Sequence, residues 1–161
     1  YFPFGAVMIA PKVADVFEHD DTGRAAIGHG YTYSGHPVGA AAALACLAET
    51  KRLNVPKNAA ARGQQIYDGC VRLQEKYDLI GDVRGGHGLM TAMELVSDRK
   101  TKAPVDKAVP LVLQETAYQN GAMVRVSGPN VILSPALIIS EGEVDTILSA
   151  LDKGFAKASE S

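Results

Sequence analysis

The tripeptide Asn54-Val55-Pro56 divides the chain into segments of different character. A proline ring removes a backbone N–H and clashes with the preceding turn, so a helix that reaches this point must stop and a new one must start. Beyond the break the apolar residues acquire strict periods. Ile66, Cys70, Leu73 and Tyr77 recur at steps of 4, 3 and 4, which predicts an amphipathic helix lying on a core. Glycines then cluster in IGDVRGGHGLM before the apolar run LMTAMELV, the order of a strand, a tight turn and a strand. The charged stretch SDRKTKAPVDK reads as a solvated loop, and a helix is expected from about Val105 to Gln119, closed by Asn120-Gly121. AMVRV and NVILSPALI follow as strands around the turn residues SGPN. Ser140 stands three residues before Glu143, a capping-box spacing, and Val144, Ile147, Leu148, Leu151 and Phe155 form one stripe of a last helix. The terminal KASES reads as frayed and disordered. Residues 54–161 therefore predict one small α/β domain with helices covering one face of a sheet.

Residues 1–53 have no such closure. The apolar run Gly5 to Ala10, stopped by Pro11, predicts a buried strand; a short helix and a long Gly-bearing loop follow. Pro37 then opens a run rich in alanine and leucine, which predicts a mostly buried helix over about 36–52 with Thr32 or Ser34 as its cap. One strand and one buried helix cannot close a core, so this segment is expected to be the edge of a larger domain.

Composition excludes the extremes. The 161 residues carry 16 basic and 18 acidic side chains, a net charge of −2, which gives no electrostatic reason to expect nucleic acid or an anionic membrane as partner. No window approaches the roughly 20 apolar residues of a membrane span. Cys46 and Cys70 make a poor disulfide framework and fit a reducing, cytoplasmic setting. Cys46 reads as a packed small residue and not a nucleophile, and Asp20-Asp21 as part of a solvated loop. The four histidines show no metal-ligand spacing, so no metal site is expected. VRGGHGLM lacks the lysine of a phosphate-binding loop and reads as a close-packed turn whose His87 is a surface or hydrogen-bonded histidine.

Two groups of residues invite chemistry. HGYTYSGHP, residues 29–37, places the Thr32 and Ser34 hydroxyls ahead of a helix N-terminus, where free N–H groups and the helix dipole can receive a phosphate or carboxylate. An ordinary capping loop uses the same residue types. Arg125, between Val124 and Val126 beside Ser127-Gly128, can swing a guanidinium into a cleft to grip a carboxylate, or simply face solvent.

Three ordered blocks, HGYTYSGHPVGAAAALA, VRGGHGLMTAMELV and GAMVRVSGPNVILSPALIISEGEVD, resemble the C-terminal half of a class III pyridoxal-phosphate-dependent aminotransferase of the omega branch. The resemblance implies the C-terminal part of a fold type I transferase, with residues 1–53 the C-terminal edge of the large cofactor-binding domain including its connecting helix. Residues 54–161 become the small C-terminal domain. It implies that Thr32 reaches the pyridoxal 5'-phosphate of a neighbouring subunit in a homodimer, with Tyr31 backbone nearby. It implies that Arg125 is a mobile arginine for the substrate carboxylate, and that Tyr1, in YFPFGA, contributes to the active-site floor. Amines and keto acids are then the small-molecule substrates.

The resemblance also implies that the lysine that binds the cofactor would precede Tyr1, and Lys12 lies outside the matching motif. No catalytic residue is therefore assigned in this chain, an N-terminal companion is expected, and the isolated chain is expected to be inactive. Ala136 departs from the family's Pro-Pro pair after Ser134. The alternatives are a non-catalytic phosphate- or carboxylate-binding domain, or an aminomutase or decarboxylase of the same fold.

Overall fold

The computed structural model describes residues 2–26 and 28–160, which divide into two compact units at the Leu53–Asn54 boundary. In the first, Pro11 and Pro37 open helices α1 (Pro11–Glu18) and α2 (Pro37–Arg52), as expected of a residue whose missing N–H costs nothing in a first turn. Pro11 thus starts a helix instead of stopping a strand. Gly5 to Ala10 forms no strand and has no ladder partner among the described residues, and Val7 and Met8 are 83% and 97% exposed. A strand needs a neighbour for its N–H and C=O groups, and this unit supplies none. The expectation that α2 is mostly buried also fails: Gly39 is its buried residue, while Leu44, Cys46 and Leu47 are exposed. Alanine propensity keeps the segment helical without burial. Asp20 does more than a solvated loop residue, since its carboxylate accepts from the backbone N–H groups of Ala25 and Thr22 and from the Thr22 hydroxyl. The Ala25 bond above all holds that carboxyl down to about 2.

The second unit begins at Asn54, whose left-handed conformation (φ 50°) sets up helix α3 (Val55–Lys76). Strands β1 (Ile80–Arg84), β2 (Thr91–Asp98), β3 (Ala103–Pro104), β4 (Arg125–Ser127) and β5 (Asn130–Leu133) alternate with α4 (Ala108–Gln119) and α5 (Glu141–Ala158). The antiparallel sheet runs β1-β2-β5-β4, and β3 pairs β2 at Val96 and Asp98. Its register decides which residues meet. Val83, Met93, Val131 and Val126 form one cross-strand row toward the helices, while Arg84, Ala92, Ile132 and Arg125 form the next row on the opposite face. Met93, Leu95, Val131 and Leu133 join Ile66, Leu113, Val144, Leu151 and Phe155 in the core. The predicted stripe of α3 is buried at all four positions, Ile66, Cys70, Leu73 and Tyr77. Burial pushes the Cys70 thiol up to about 12, which makes it inert.

Several boundaries differ from expectation for local reasons. Helix α4 starts three residues later than Val105, where Asp106 Oδ1 accepts the Ala108 N–H. Strand β5 stops at Leu133 because Pro135 cannot donate to a ladder. The stretch expected as a solvated loop contains β3 and Arg99, whose guanidinium donates to the carbonyls of Ile80, Gln74 and Tyr77. It thereby satisfies the Gln74 carbonyl in the last turn of α3. The capping box forms, with Ser140 Oγ accepting from Glu143 N and the Glu143 carboxylate from Ser140 N. Of the terminal KASES, Lys157 and Ala158 continue α5 instead of fraying, with Ala158 buried and Ser159 Oγ donating to the Phe155 carbonyl at 2.8 Å, while Ser161 lies outside the described residues.

Helices α3 and α5 are tied by Tyr77, whose hydroxyl donates to Asp152 Oδ1 at 2.8 Å while Lys76 Nζ donates to the same oxygen at 2.6 Å. The Lys76 bond holds the Asp152 carboxyl below its ordinary value of 3.8. Because the unfolded chain takes up that proton first, the contribution is present above pH 3.8 and is lost as pH falls through the lower folded value. Urea midpoints measured from pH 6 to pH 3 should fall, and Asp152→Asn should flatten part of the fall; an unchanged slope in the variant would remove Asp152 from the cause.

Candidate functional site

Each unit presents one candidate surface. In the first, the turn before α2 is closed by the Ser34 N–H donating to the Tyr31 carbonyl at 2.9 Å and the Tyr31 N–H donating to Ser34 Oγ at 3.1 Å. Gly35 (φ 69°) lets the chain turn into the helix. Neither Thr32 nor Ser34 caps α2, contrary to expectation: the cap position is His36, and it makes no side-chain cap bond. The physical reason is that Ser34 is already committed to Tyr31. Thr32 is exposed, and its hydroxyl has no hydrogen bond among the described residues. Tyr31 lines a cleft of about 710 Å³ with Phe2, Phe4, Tyr33, His36 and Gly39. Phe2 stacks on His36 at 5.7 Å, and Tyr33 meets the same imidazole edge-on at 5.7 Å.

His36 is the residue that sequence reasoning passed over. Its Nδ1 is buried and has no hydrogen-bond partner among the described residues. The four histidines lack metal-ligand spacing, and the signal that singles out His36 is position: it immediately precedes the helix-opening Pro37. An orphaned ring nitrogen, an unengaged Thr32 hydroxyl and a helix N-terminus without a side-chain cap lie within residues 32–37, and each is of a kind that can receive an oxyanion. Tyr1 lies outside the described residues.

In the second unit Arg125 opens β4, the edge strand, instead of ending a strand. It lines a cleft of about 430 Å³ with Gln114, Met123, Ile132, Ser134 and Pro135. The contrast with Arg84, in the same cross-strand row, is chemical. Arg84 donates to Asp82, Glu94 and Asn130, whereas the Arg125 guanidinium has no hydrogen bond or ion pair among the described residues. An exposed, unpaired guanidinium at the lip of an apolar cleft can take a carboxylate bidentately. VRGGHGLM forms the close-packed turn expected, with exposed His87. Among the described residues no cluster of His, Cys, Asp and Glu could hold a metal ion, and no helix is long and apolar enough to cross a membrane.

The chain matches the family Aminotransferase class-III over residues 2–155. It is 30% identical over 151 residues to gamma-aminobutyrate transaminase 1, mitochondrial, of Oryza sativa subsp. indica, an alignment covering 92% of this chain and 29% of that protein. It is 36% identical over 160 residues to an uncharacterized aminotransferase of Sinorhizobium fredii, covering 95% and 33%. Among solved structures, an amine transaminase from an uncultivated Pseudomonas species in its PLP-bound form superposes with TM-score 0.85 and 41% identity, over 92% of this chain and 34% of that one. An (S)-enantioselective omega-transaminase from Thermomicrobium roseum gives 0.80 and 30%, over 93% and 33%. The fold is thus that of a pyridoxal-phosphate-dependent transaminase segment, and the chain belongs to the class III aminotransferases. It spans about a third of the length of the relatives it matches.

Proposed function

We propose that these residues serve an aminotransferase that moves an amino group between an amine or amino acid and a keto acid, with pyridoxal 5'-phosphate as cofactor. In this reading residues 54–161 are the small domain and residues 1–53 the edge of the large one. The observation that carries it is the unpaired Arg125 guanidinium at the lip of its cleft, in a chain that the family matches almost throughout.

The cofactor, when bound, supplies an electron sink for the amine carbon. The work of this chain is binding and selection. Thr32 and the first turn of α2 hold the phosphate, in a homodimer that of the neighbouring subunit, through a hydroxyl donor and free N–H groups, with Tyr31 nearby, its own N–H donated to Ser34 Oγ. The orphaned His36 Nδ1, in the tautomer that carries its proton there, offers a further donor. Arg125 grips the substrate carboxylate and thereby orients the carbonyl of the keto acid. Gamma-aminobutyrate, named for the rice relative, carries a carboxylate of the kind that Arg125 is placed to hold. Proton transfer is assigned to no residue of this chain. Two free cysteines support a reducing, cytoplasmic setting.

The test is a transamination assay on the complete gene product that carries these residues, loaded with cofactor, using pyruvate and a carboxylate-free aryl amine. Arg125→Met should raise KM for pyruvate by about 10- to 100-fold, the worth of a charge-assisted pair, and leave KM for the amine within about twofold. Equal effects on both substrates, or no turnover by the unsubstituted protein, would overturn the reading.

A further inference from the structure

We propose that Gln114 is the positioning residue for Arg125, a role that rests on the carboxylate-binding reading of that arginine and deepens it. Gln114 projects from α4, and its Nε2 donates to the Val124 carbonyl at 2.8 Å in a half-buried setting. That carbonyl belongs to the peptide that joins Val124 to Arg125. A peptide group is planar, so fixing the oxygen also fixes the Arg125 nitrogen at its other end. Val124 is itself buried, which pins the residue before the arginine.

On the far side Arg125 is held by its register against Ile132 of β5. Its backbone is therefore clamped from α4 and from the sheet, at the edge of the sheet where, among the described residues, β5 is its one strand neighbour. Beyond the backbone nothing grips it: the guanidinium has no partner among the described residues. The arrangement is a fixed base with a free tip. Gln114 also lines the same cleft, so the clamp sits beside the space the carboxylate would enter. Without the clamp the departure direction of the Arg125 side chain is set by β5 alone, and a bidentate pair needs both N–H groups aligned with the carboxylate.

A merely structural glutamine would affect all substrates alike. A positioning glutamine acts through Arg125, so its effect must be confined to carboxylates and must vanish when Arg125 is gone. The experiment uses the complete gene product loaded with cofactor, with Gln114→Met, Gln114→Glu, Arg125→Met and the Gln114→Met/Arg125→Met double variant. Both Gln114 variants remove the N–H donor, and the second guards against a methionine that fails to pack. Steady-state KM and kcat are measured for pyruvate and a carboxylate-free amine, and glutarate binding by calorimetry gives a readout independent of turnover. Expected are five- to tenfold weaker glutarate binding and an equal rise in KM for pyruvate in Gln114→Met, a similar or larger change in Gln114→Glu, and unchanged amine KM. In the Arg125→Met background the Gln114→Met change should have no further effect. If Arg125→Met itself leaves carboxylate binding intact, the underlying reading falls. If Arg125→Met weakens carboxylate binding but Gln114→Met does not, or does so equally with Arg125 removed, the role of Gln114 is overturned.

Discussion

Replacing Gly63 by alanine should unfold residues 54–161 or destabilise them by more than about 3 kcal/mol. A Cβ at this position of α3 would stand 2.0 Å from the Gly88 carbonyl oxygen and 2.5 Å from its carbon. Both obstacles are backbone in the β1–β2 connection, so no rotamer change relieves the clash; the helix or the turn must move. The neighbouring case of Gly69 differs, since its Cβ would meet the Leu148 side chain, which can rotate. Gly142, in the first turn of α5, has nothing within 4 Å. There alanine should stabilise by up to about 0.5 kcal/mol through helix propensity. Urea unfolding of the three variants followed by circular dichroism gives the order directly. A Gly63→Ala midpoint within experimental error of the unsubstituted chain would show that α3 does not seat against this turn.

Phe155→Ala should cost about 3 to 5 kcal/mol, the range for deleting a fully buried aromatic ring. Phe155 is 0% exposed and stacks on Tyr77 with centroids 5.5 Å apart and planes 24° apart. Tyr77 is held in turn by Asp152 through its hydroxyl, so the ring has no freedom to collapse into the vacated space. The cavity is therefore expected to persist, which places the loss toward the upper part of the range. Phe155→Leu, which retains most of the volume, should cost less than half as much. Leu111→Ala, at an exposed position of α4, should stay within about 0.5 kcal/mol and serves as the reference. A Phe155→Ala loss below 1 kcal/mol would mean that the α3–α5 seam repacks.

The contrast between the two halves of the chain explains what could be read in advance. In residues 54–161 each element carries its own closing signal: the 4-3-4 stripe of α3, the Asn120-Gly121 stop, the Ser140–Glu143 box. Local pattern and long-range packing agree there, so the elements other than β3 were legible, with boundaries shifted by up to about five residues at the end of β5. Gly5 to Ala10 and α2 read as buried because apolar runs usually are, but burial depends on a partner that no local pattern encodes. The candidate site divides in the same way. Arg125 was visible beside a turn, since a charged residue between two valines on a strand stands out. Gln114 was not, because a helical glutamine is unremarkable until the fold brings it to the Val124 carbonyl. Arg84 was likewise an ordinary surface arginine until the register set it against Glu94 and Asn130.

That register polarises the open face of the sheet. Asp82, Arg84 and Glu94 compensate one another together with Lys102, whose ammonium donates to the Gly81 carbonyl of β1, while Arg125 stands alone on β4 at the opposite edge. Three interstrand steps of about 4.8 Å separate the edges by roughly 14 Å. The Debye length is about 8 Å at physiological ionic strength and about 30 Å at 0.01 M. In dilute buffer an approaching anion is thus drawn toward the Arg125 edge from across the width of the sheet, and its orientation is selected before contact. At physiological salt the two edges are electrically independent, and attraction to Arg125 acts only over the last few ångströms.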